Sequence, residues 1–401
     1  MTTTRPESTT VPTTAELVAR ISELAPLLKK NAAEGEQNRR VVQESIDALT
    51  DAGVFKLAVP KRYGGYAMDM RSMLDVSKAV GAADGGTAWV TTLTNVGAWL
   101  TGLFPTQAQD DVFGADLGAK VTGVLTPTST AIKVDGGYKV SGKWYYNSGC
   151  WHATWAILGV PLQDETGAVV DQALALIPAD QTTIEETWFV SGMKSSGSNC
   201  LVAEDVFVPE HRIMSVPPAV EGNYPGTEAD TEPFYRSAFV PVLSLVLIGA
   251  QLGLGQAALD FVIEKAGKKP ISYTFFEKQS DSVAFQLKIA QAAQLLDTAN
   301  LHAYRAAQDI DQAAARGEYL DYTARARVRA DTGWVAEHVT KAIDLLLSAH
   351  GAGSFAEVNP LQRIWRDSAA AARHAVIAPD VSYEVYGKAL LGVEEQITPL
   401  V

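Results

Sequence analysis

Between Ser141 and Val160 the chain reads SGKWYYNSGCWHATWAILGV, which sets Ser148, Cys150 and His152 among Trp144, Tyr145, Tyr146, Trp151 and Trp155. A hydroxyl among large rings can hold a hydrogen bond where water is excluded, as a water-sensitive reactive group requires. The same residues also read as a strand with core aromatics, ending in a turn at Ser148-Gly149. Other segments carry chemistry in residue type. His374, after an Ala-rich stretch, could exchange a proton at neutral pH, or be an ordinary helix-surface histidine. Arg236, in YRSAF with Phe239, could stabilise negative charge, or cap a loop. Gly197-Ser198 and Gly351-Ala352-Gly353 could offer backbone N–H groups to a phosphate, or be plain turns.

Other chemistries find no support. The chain has two cysteines, Cys150 and Cys200, and six histidines, with no CxxC, HExxH or carboxylate–histidine pattern for a metal. His152 reads as a packed core residue; His211, His302, His338 and His350 read as structural or exposed. A net charge of −13 argues against a nucleic-acid or anionic-membrane surface. The Thr-rich start has no apolar core like that of a signal peptide, and residues 1–14 read as a flexible tail. Few cysteines suit a reducing cytoplasm, so a cytoplasmic protein is expected. The apolar run from Phe239, FVPVLSLVLIGAQLGLGQAAL, holds enough Gly and Gln to read as a buried helix rather than a membrane span.

The elements that must position these residues follow from periodicity. Residues 15–119 carry apolar positions at helical steps, broken at Asp84-Gly85-Gly86. Residues 120–217 alternate β-branched and aromatic residues between turn signals such as Asp135-Gly136-Gly137, which predicts a compact antiparallel β-domain. Residues 218–401 return to helical patterns. Two of them are long, one from Ser282 to Gly317 and one from Tyr322 to Gly351, with Gly351 as a C-cap; a third starts at Pro360. The fold class expected is α+β, mainly α.

This order, with VPKRYGG (59–65), DGGYKVSGKWYYNSG (135–149), GMKSSGSNCLVAEDVFVPEHR (192–212) and NPLQRIWRD (359–367), resembles the acyl-CoA dehydrogenase fold. That fold has a helical N-terminal domain, a middle β-domain and a C-terminal four-helix bundle. Many dehydrogenases of the fold show Glu-Gly-Thr after the "RD" helix; here the stretch reads RDSAAAARHAVIAPD, with His374 in the region. The chain is therefore similar to the oxygenase components of two-component flavin-dependent monooxygenases, such as 4-hydroxyphenylacetate hydroxylase and the indole and polyketide hydroxylases. The resemblance implies a separate NAD(P)H-flavin reductase, a C4a-hydroperoxyflavin formed from O2, and transfer of its distal oxygen to an aromatic small molecule. N- or S-oxygenation and acyl-CoA dehydrogenation are the alternatives.

Residue by residue, the resemblance implies that Ser148 lies within hydrogen-bonding reach of flavin N5, with Trp144 and Tyr146 against the isoalloxazine. His374 would sit near C4a as a cationic or proton-donating group, with Asp380 a candidate to orient it. Arg236 would lie by the pyrimidine edge and Phe239 on the ring. Gly197, Ser198, Gly351 and Gly353 would approach the phosphate or adenosine arm. The segment PISYTFFEKQSDSVAFQ lacks the arginine that dehydrogenases use on the FAD pyrophosphate, which suits a flavin that diffuses in reduced and does not decide FAD against FMN. The resemblance implies FADH2 in preference to FMNH2. Related phenol hydroxylases can carry a histidine on an N-domain helix; here that region holds Asn95, which can hydrogen-bond a substrate but not deprotonate a phenol. An electron-rich aromatic, indole-like or fused aromatic/phenolic, is expected rather than a simple phenol, handled by a homotetramer or dimer.

Overall fold

The computed structural model describes residues 11–126, 129–226 and 231–401. The tail expected at residues 1–14 lies, as far as residue 10, outside them. Five α-helices come first: α1 (Thr14–Asn38), α2 (Gln43–Asp51), α3 (Met70–Gly81), α4 (Gly85–Gly102) and α5 (Thr106–Gln109). Helix α1 starts on a complete capping box, in which Thr13 accepts from the Glu16 N–H and the Glu16 carboxylate accepts from the Thr13 N–H. Helix α4 starts on Asp84, whose Oδ2 accepts from the Thr87 N–H at 2.8 Å. Nearly every residue of α4 is buried, which is why its sequence shows no polar stripe.

Eight strands follow: β1 (Val121–Val124), β2 (Ser129–Val134), β3 (Gly137–Asn147), β4 (Trp155–Gln163), β5 (Val169–Pro178), β6 (Thr183–Glu185), β7 (Asn199–Pro209) and β8 (Ile213–Ser215). They form one sheet in the order β6-β7-β3-β2-β4-β5-β8, with β1 added beside β4. The all-antiparallel expectation needs correction, because β1 and β2 run parallel to β4. The cause is local: β3 pairs antiparallel to β2, the chain reverses through Ser148–Ala153, and β4 leaves in the direction of β2.

The remaining helices are α6 (Val216–Val220), α7 (Phe239–Leu245), α8 (Gly249–Ala266), α9 (Val283–Arg316), α10 (Tyr322–His350), α11 (Pro360–Ala371) and α12 (Pro379–Leu391). The apolar run from Phe239 is interior: it forms α7, a short 3-10 turn and α8, with 78% of its most apolar window buried. A core that joins α1–α4 to α7–α11 runs without a break, while the inner face of the sheet forms a second core around Trp144, Leu158 and Ile177. The third helical pattern of the C-terminal region is shorter than its sequence suggests. Helix α11 ends at Ala371, and His374 sits in the turn before α12 rather than on a helix surface.

Candidate active site

The site is built where the end of β3 meets the start of α4. Gly149 follows Ser148 at φ +74°, and a Cβ there would stand 2.9 Å from Val90 Cγ1 of α4. Only glycine combines that left-handed backbone with so close an approach. Gly86 allows a similarly close approach from the helix side, since a Cβ on it would meet Ser195 Oγ at 1.9 Å. These two contacts press α4 between the β3 turn and the loop at 193–198.

The polar groups gathered there form one connected set. Trp89 Nε1 donates to Ser148 Oγ at 3.1 Å. Ser148 Oγ and Ser198 Oγ lie 2.8 Å apart, and Ser198 Oγ and Ser196 Oγ 2.6 Å. Ser196 Oγ donates to the Met193 carbonyl at 2.8 Å. All three serines are buried, Ser148 retaining 6% of its surface. The backbone fixes both ends: Thr122 Oγ1 donates to the Ser148 carbonyl at 2.8 Å, and the Gly149 N–H to the Ser196 carbonyl at 2.9 Å. Met193, itself at φ +53°, donates its N–H to Asp367 Oδ1 at 2.6 Å.

His374 joins this set through Trp89, the ring centroids lying 5.9 Å apart. Its Nδ1 accepts from the Val376 N–H at 3.4 Å, which leaves the proton on Nε2. The ring opens toward solvent at the rim, yet the surrounding protein desolvates it and holds its pKa below the usual imidazole value. That desolvation favours the neutral, Nε2-protonated imidazole, the proton-donating form of the two expected. Asp380, expected as its orienter, is exposed at the start of α12 and has no bond to it among the described contacts. Close by, burial first and then the Asp84 carboxylate push the Asp367 carboxyl up to about 7.

The other expected site residues divide. Tyr146 is 70% exposed at φ +72°, edge-on to Trp188 at 6.1 Å, so its ring is available to a ligand. Trp144 is corrected to a core residue: it is fully buried in the sheet, and its Nε1 is spent on the Gly159 carbonyl at 2.8 Å. Phe239 is corrected likewise, being fully buried against Trp99 and Tyr224 with centroids at 6.1 and 6.3 Å. Arg236 lies one turn before it and donates to the Thr231 carbonyl. Trp99 stands ten residues beyond Trp89 on α4, about 15 Å along the axis, so Arg236 and Phe239 belong to the far end of that helix. Asn95 lies between the two ends, 2% exposed. Its Nδ2 donates to the Val54 and Thr91 carbonyls at 3.1 and 3.0 Å, and Oδ1 has no partner. It can accept from a ligand but has no free donor.

Gly197 and Ser198 do not form an open phosphate cradle. A Cβ on Gly197 would meet the Arg39 carbonyl at 2.9 Å, and the Ser198 hydroxyl is spent within the serine set. Gly351, at φ +89°, has open space where a Cβ would stand, and Lys269 Nζ, which donates to the His350 carbonyl, lies 3.8 Å from the corresponding point on Gly353. That turn precedes α11 and His374 follows it, with about 18 Å of helix between them. Sequence reading missed Trp89, the residue that links Ser148 to His374. Its signal was its place one turn inside the Asp84-capped start of α4.

A flat ring system with polar edges fits these features. Tyr146 and Trp188 supply exposed ring surface at the rim, Ser148 Oγ keeps one of its three hydrogen-bonding positions unfilled, and the His374 Nε2–H has no partner among the described contacts. Together, fold and site define a flavoprotein of acyl-CoA dehydrogenase architecture. The family models for the acyl-CoA dehydrogenase N-terminal and C-terminal domains match residues 16–117 and 245–379. The chain is 34% identical to the flavin-dependent monooxygenase oxygenase subunit HsaA of Rhodococcus jostii, over 93% of this chain and 98% of that one. It is 30% identical to the oxygenase component of the FADH2-dependent resorcinol hydroxylase of a Rhizobium species, over 94% of each. XiaF from a Streptomyces species, solved with FADH2 and glycerol, superposes with a TM-score of 0.92 at 37% identity, over 97% of this chain and 98% of that one. The chain belongs to the oxygenase components of the flavin-dependent monooxygenases.

Proposed function

We propose that the chain accepts reduced flavin, FADH2 in preference to FMNH2, from a separate NAD(P)H-flavin reductase and hydroxylates an electron-rich aromatic small molecule with O2. The flavin named for the resorcinol hydroxylase and bound in XiaF supports the choice of FADH2. Bound reduced flavin would activate O2 and supply one oxygen atom to the substrate. The observation that carries the reading is Ser148 Oγ, fixed between Trp89 and Ser198 with one hydrogen-bonding position to spare, beside Trp89 and His374.

Each side chain then has a task. Ser148 holds the N5 edge of the flavin. Trp89 and Tyr146 exclude water from the ring. His374, through its Nε2–H, holds a proton at the edge where oxygen reacts. Gly351 and Gly353, with Lys269, suit the phosphate arm. Helix α4 carries no histidine that could deprotonate a phenol, so the substrate ring must bring its own electron density, as an indole or fused aromatic does. The chain acts as a homo-oligomer in the cytoplasm; the fully exposed Tyr273 and Phe275 support the first, and two unpaired cysteines the second. The test is to supply reductase, NADH and flavin and to quantify hydroxylated product against hydrogen peroxide for wild type and Ser148→Ala. Diversion of oxygen to peroxide in the variant is expected; equal yields in both would refute the role of Ser148.

A further inference from the structure

The three serines carry a direction as well as a connection. The Met193 carbonyl can only accept. It collects three donors: the Ser196 N–H at 3.0 Å, Trp188 Nε1 at 2.9 Å and Ser196 Oγ at 2.8 Å. Ser196 therefore spends its single proton on Met193, and its oxygen can only accept from Ser198 across their 2.6 Å contact. Ser198 then has no proton left for Ser148, so across their 2.8 Å contact Ser148 is the donor. With its proton turned toward Ser198 and one lone pair filled by Trp89 Nε1, Ser148 Oγ can offer only a lone pair to anything else.

We infer that Ser196 and Ser198 are positioning residues that lock the Ser148 hydroxyl as a hydrogen-bond acceptor, so that the site favours reduced over oxidised flavin. The inference rests on Ser148 facing flavin N5, as proposed above. Reduced flavin carries a proton at N5 and meets the acceptor; oxidised flavin bears only a lone pair there. To donate to oxidised N5, Ser148 would have to withdraw its proton from Ser198, leaving two buried oxygens 2.8 Å apart with no hydrogen between them. An oxygenase component that receives reduced flavin and must release it oxidised gains from this polarity. The anchor is well held, since Met193 sits in a left-handed conformation with its N–H on Asp367.

The test measures dissociation constants for FADH2, anaerobically, and for FAD, on wild type and on Ser196→Ala, Ser198→Ala, Ser196→Thr and Ser148→Ala. Wild type should prefer FADH2. Ser196→Ala frees the Ser198 proton for Ser148, and Ser198→Ala removes the acceptor of the Ser148 proton. Each lets Ser148 donate to N5, and each should lower the FADH2 preference by about tenfold, mainly by tightening FAD. Ser196→Thr keeps a hydroxyl and should retain the wild-type ratio. If both alanine variants leave the ratio unchanged, or weaken the two redox states equally, or if Ser196→Thr loses the preference as well, the inference falls. Should Ser148→Ala alter neither constant, Ser148 does not face the flavin, and the underlying reading fails instead.

Discussion

The two ends of α4 are built from similar residues and do opposite work. Its start carries the Asp84 cap and Trp89, and a polar, titratable set gathers there: Ser148, Ser196, Ser198, His374 and Asp367. Its last turns carry Trp99, enclosed by Phe234 and Phe239, with its Nε1 on the Phe234 carbonyl at 2.9 Å. Both ends hold a buried tryptophan whose indole N–H is satisfied. At one end the acceptor is a hydroxyl with capacity to spare; at the other it is a backbone carbonyl inside an aromatic core. A buried polar contact points to chemistry when its partners are left able to bind something more.

Substitutions can sharpen that contrast. Phe239→Ala should open the core end and cost about 3–5 kcal/mol of stability in a denaturant titration, while folded variant protein keeps its product-to-peroxide ratio. A smaller cost would mean the aromatic cluster is not the helix's structural anchor. At the other end, Asp367→Asn isolates a titration. The folded-state pKa of Asp367 is raised to about 7, so the native state binds the proton more tightly than the unfolded chain does. Asp367 should therefore contribute a loss of stability as pH rises from about 4 to 7, and Asp311, also raised to about 7 chiefly by burial, contributes with the same sign, against the opposite contribution of His152, His350 and His374, whose pKa values are lowered by burial. The asparagine variant should lose its share of that slope and exceed wild type above about pH 7, by a few kcal/mol on the order of 2–4. Parallel pH curves for the two proteins would contradict this.

Two predictions are smaller in free energy. Ser148→Ala leaves the Trp89 N–H unpaired and should cost about 1–3 kcal/mol of stability, while product per flavin consumed falls roughly tenfold to a hundredfold. Asn95→Ala removes two donors to backbone carbonyls and should cost stability similarly, but with product yield and substrate KM within about twofold of wild type. A large KM change there would restore Asn95 as a substrate contact through its unpartnered Oδ1.

The order of helical, strand and helical segments was legible because each element carries its own period. The long helices α9 and α10 announce themselves over 34 and 29 residues, and Gly351 ends the second as expected. What periodicity cannot carry is which side of an element faces a ligand. Trp144 and Tyr146, two residues apart on β3, should share a face, yet one is fully buried and the other 70% exposed. An irregular register against β7 between Trp144 and Asn147, with Tyr146 at positive φ, turns the second ring outward. Ser148 and His374 could be singled out by residue type and resemblance, but Trp89 could not, because its meaning depends on a contact 59 residues away. Phe239 misled for the converse reason: its spacing from Arg236 fits a cofactor contact, while its surroundings make it core.

The most direct test of the central claim is rapid mixing of the anaerobic protein carrying FADH2 with oxygenated buffer, followed by flavin absorbance. A transient species distinct from both reduced and oxidised flavin, long-lived in wild type and shortened in Ser148→Ala, is the predicted result. Reoxidation in wild type at the rate of free flavin, with no such species, would contradict the assignment of this site to flavin-dependent oxygenation.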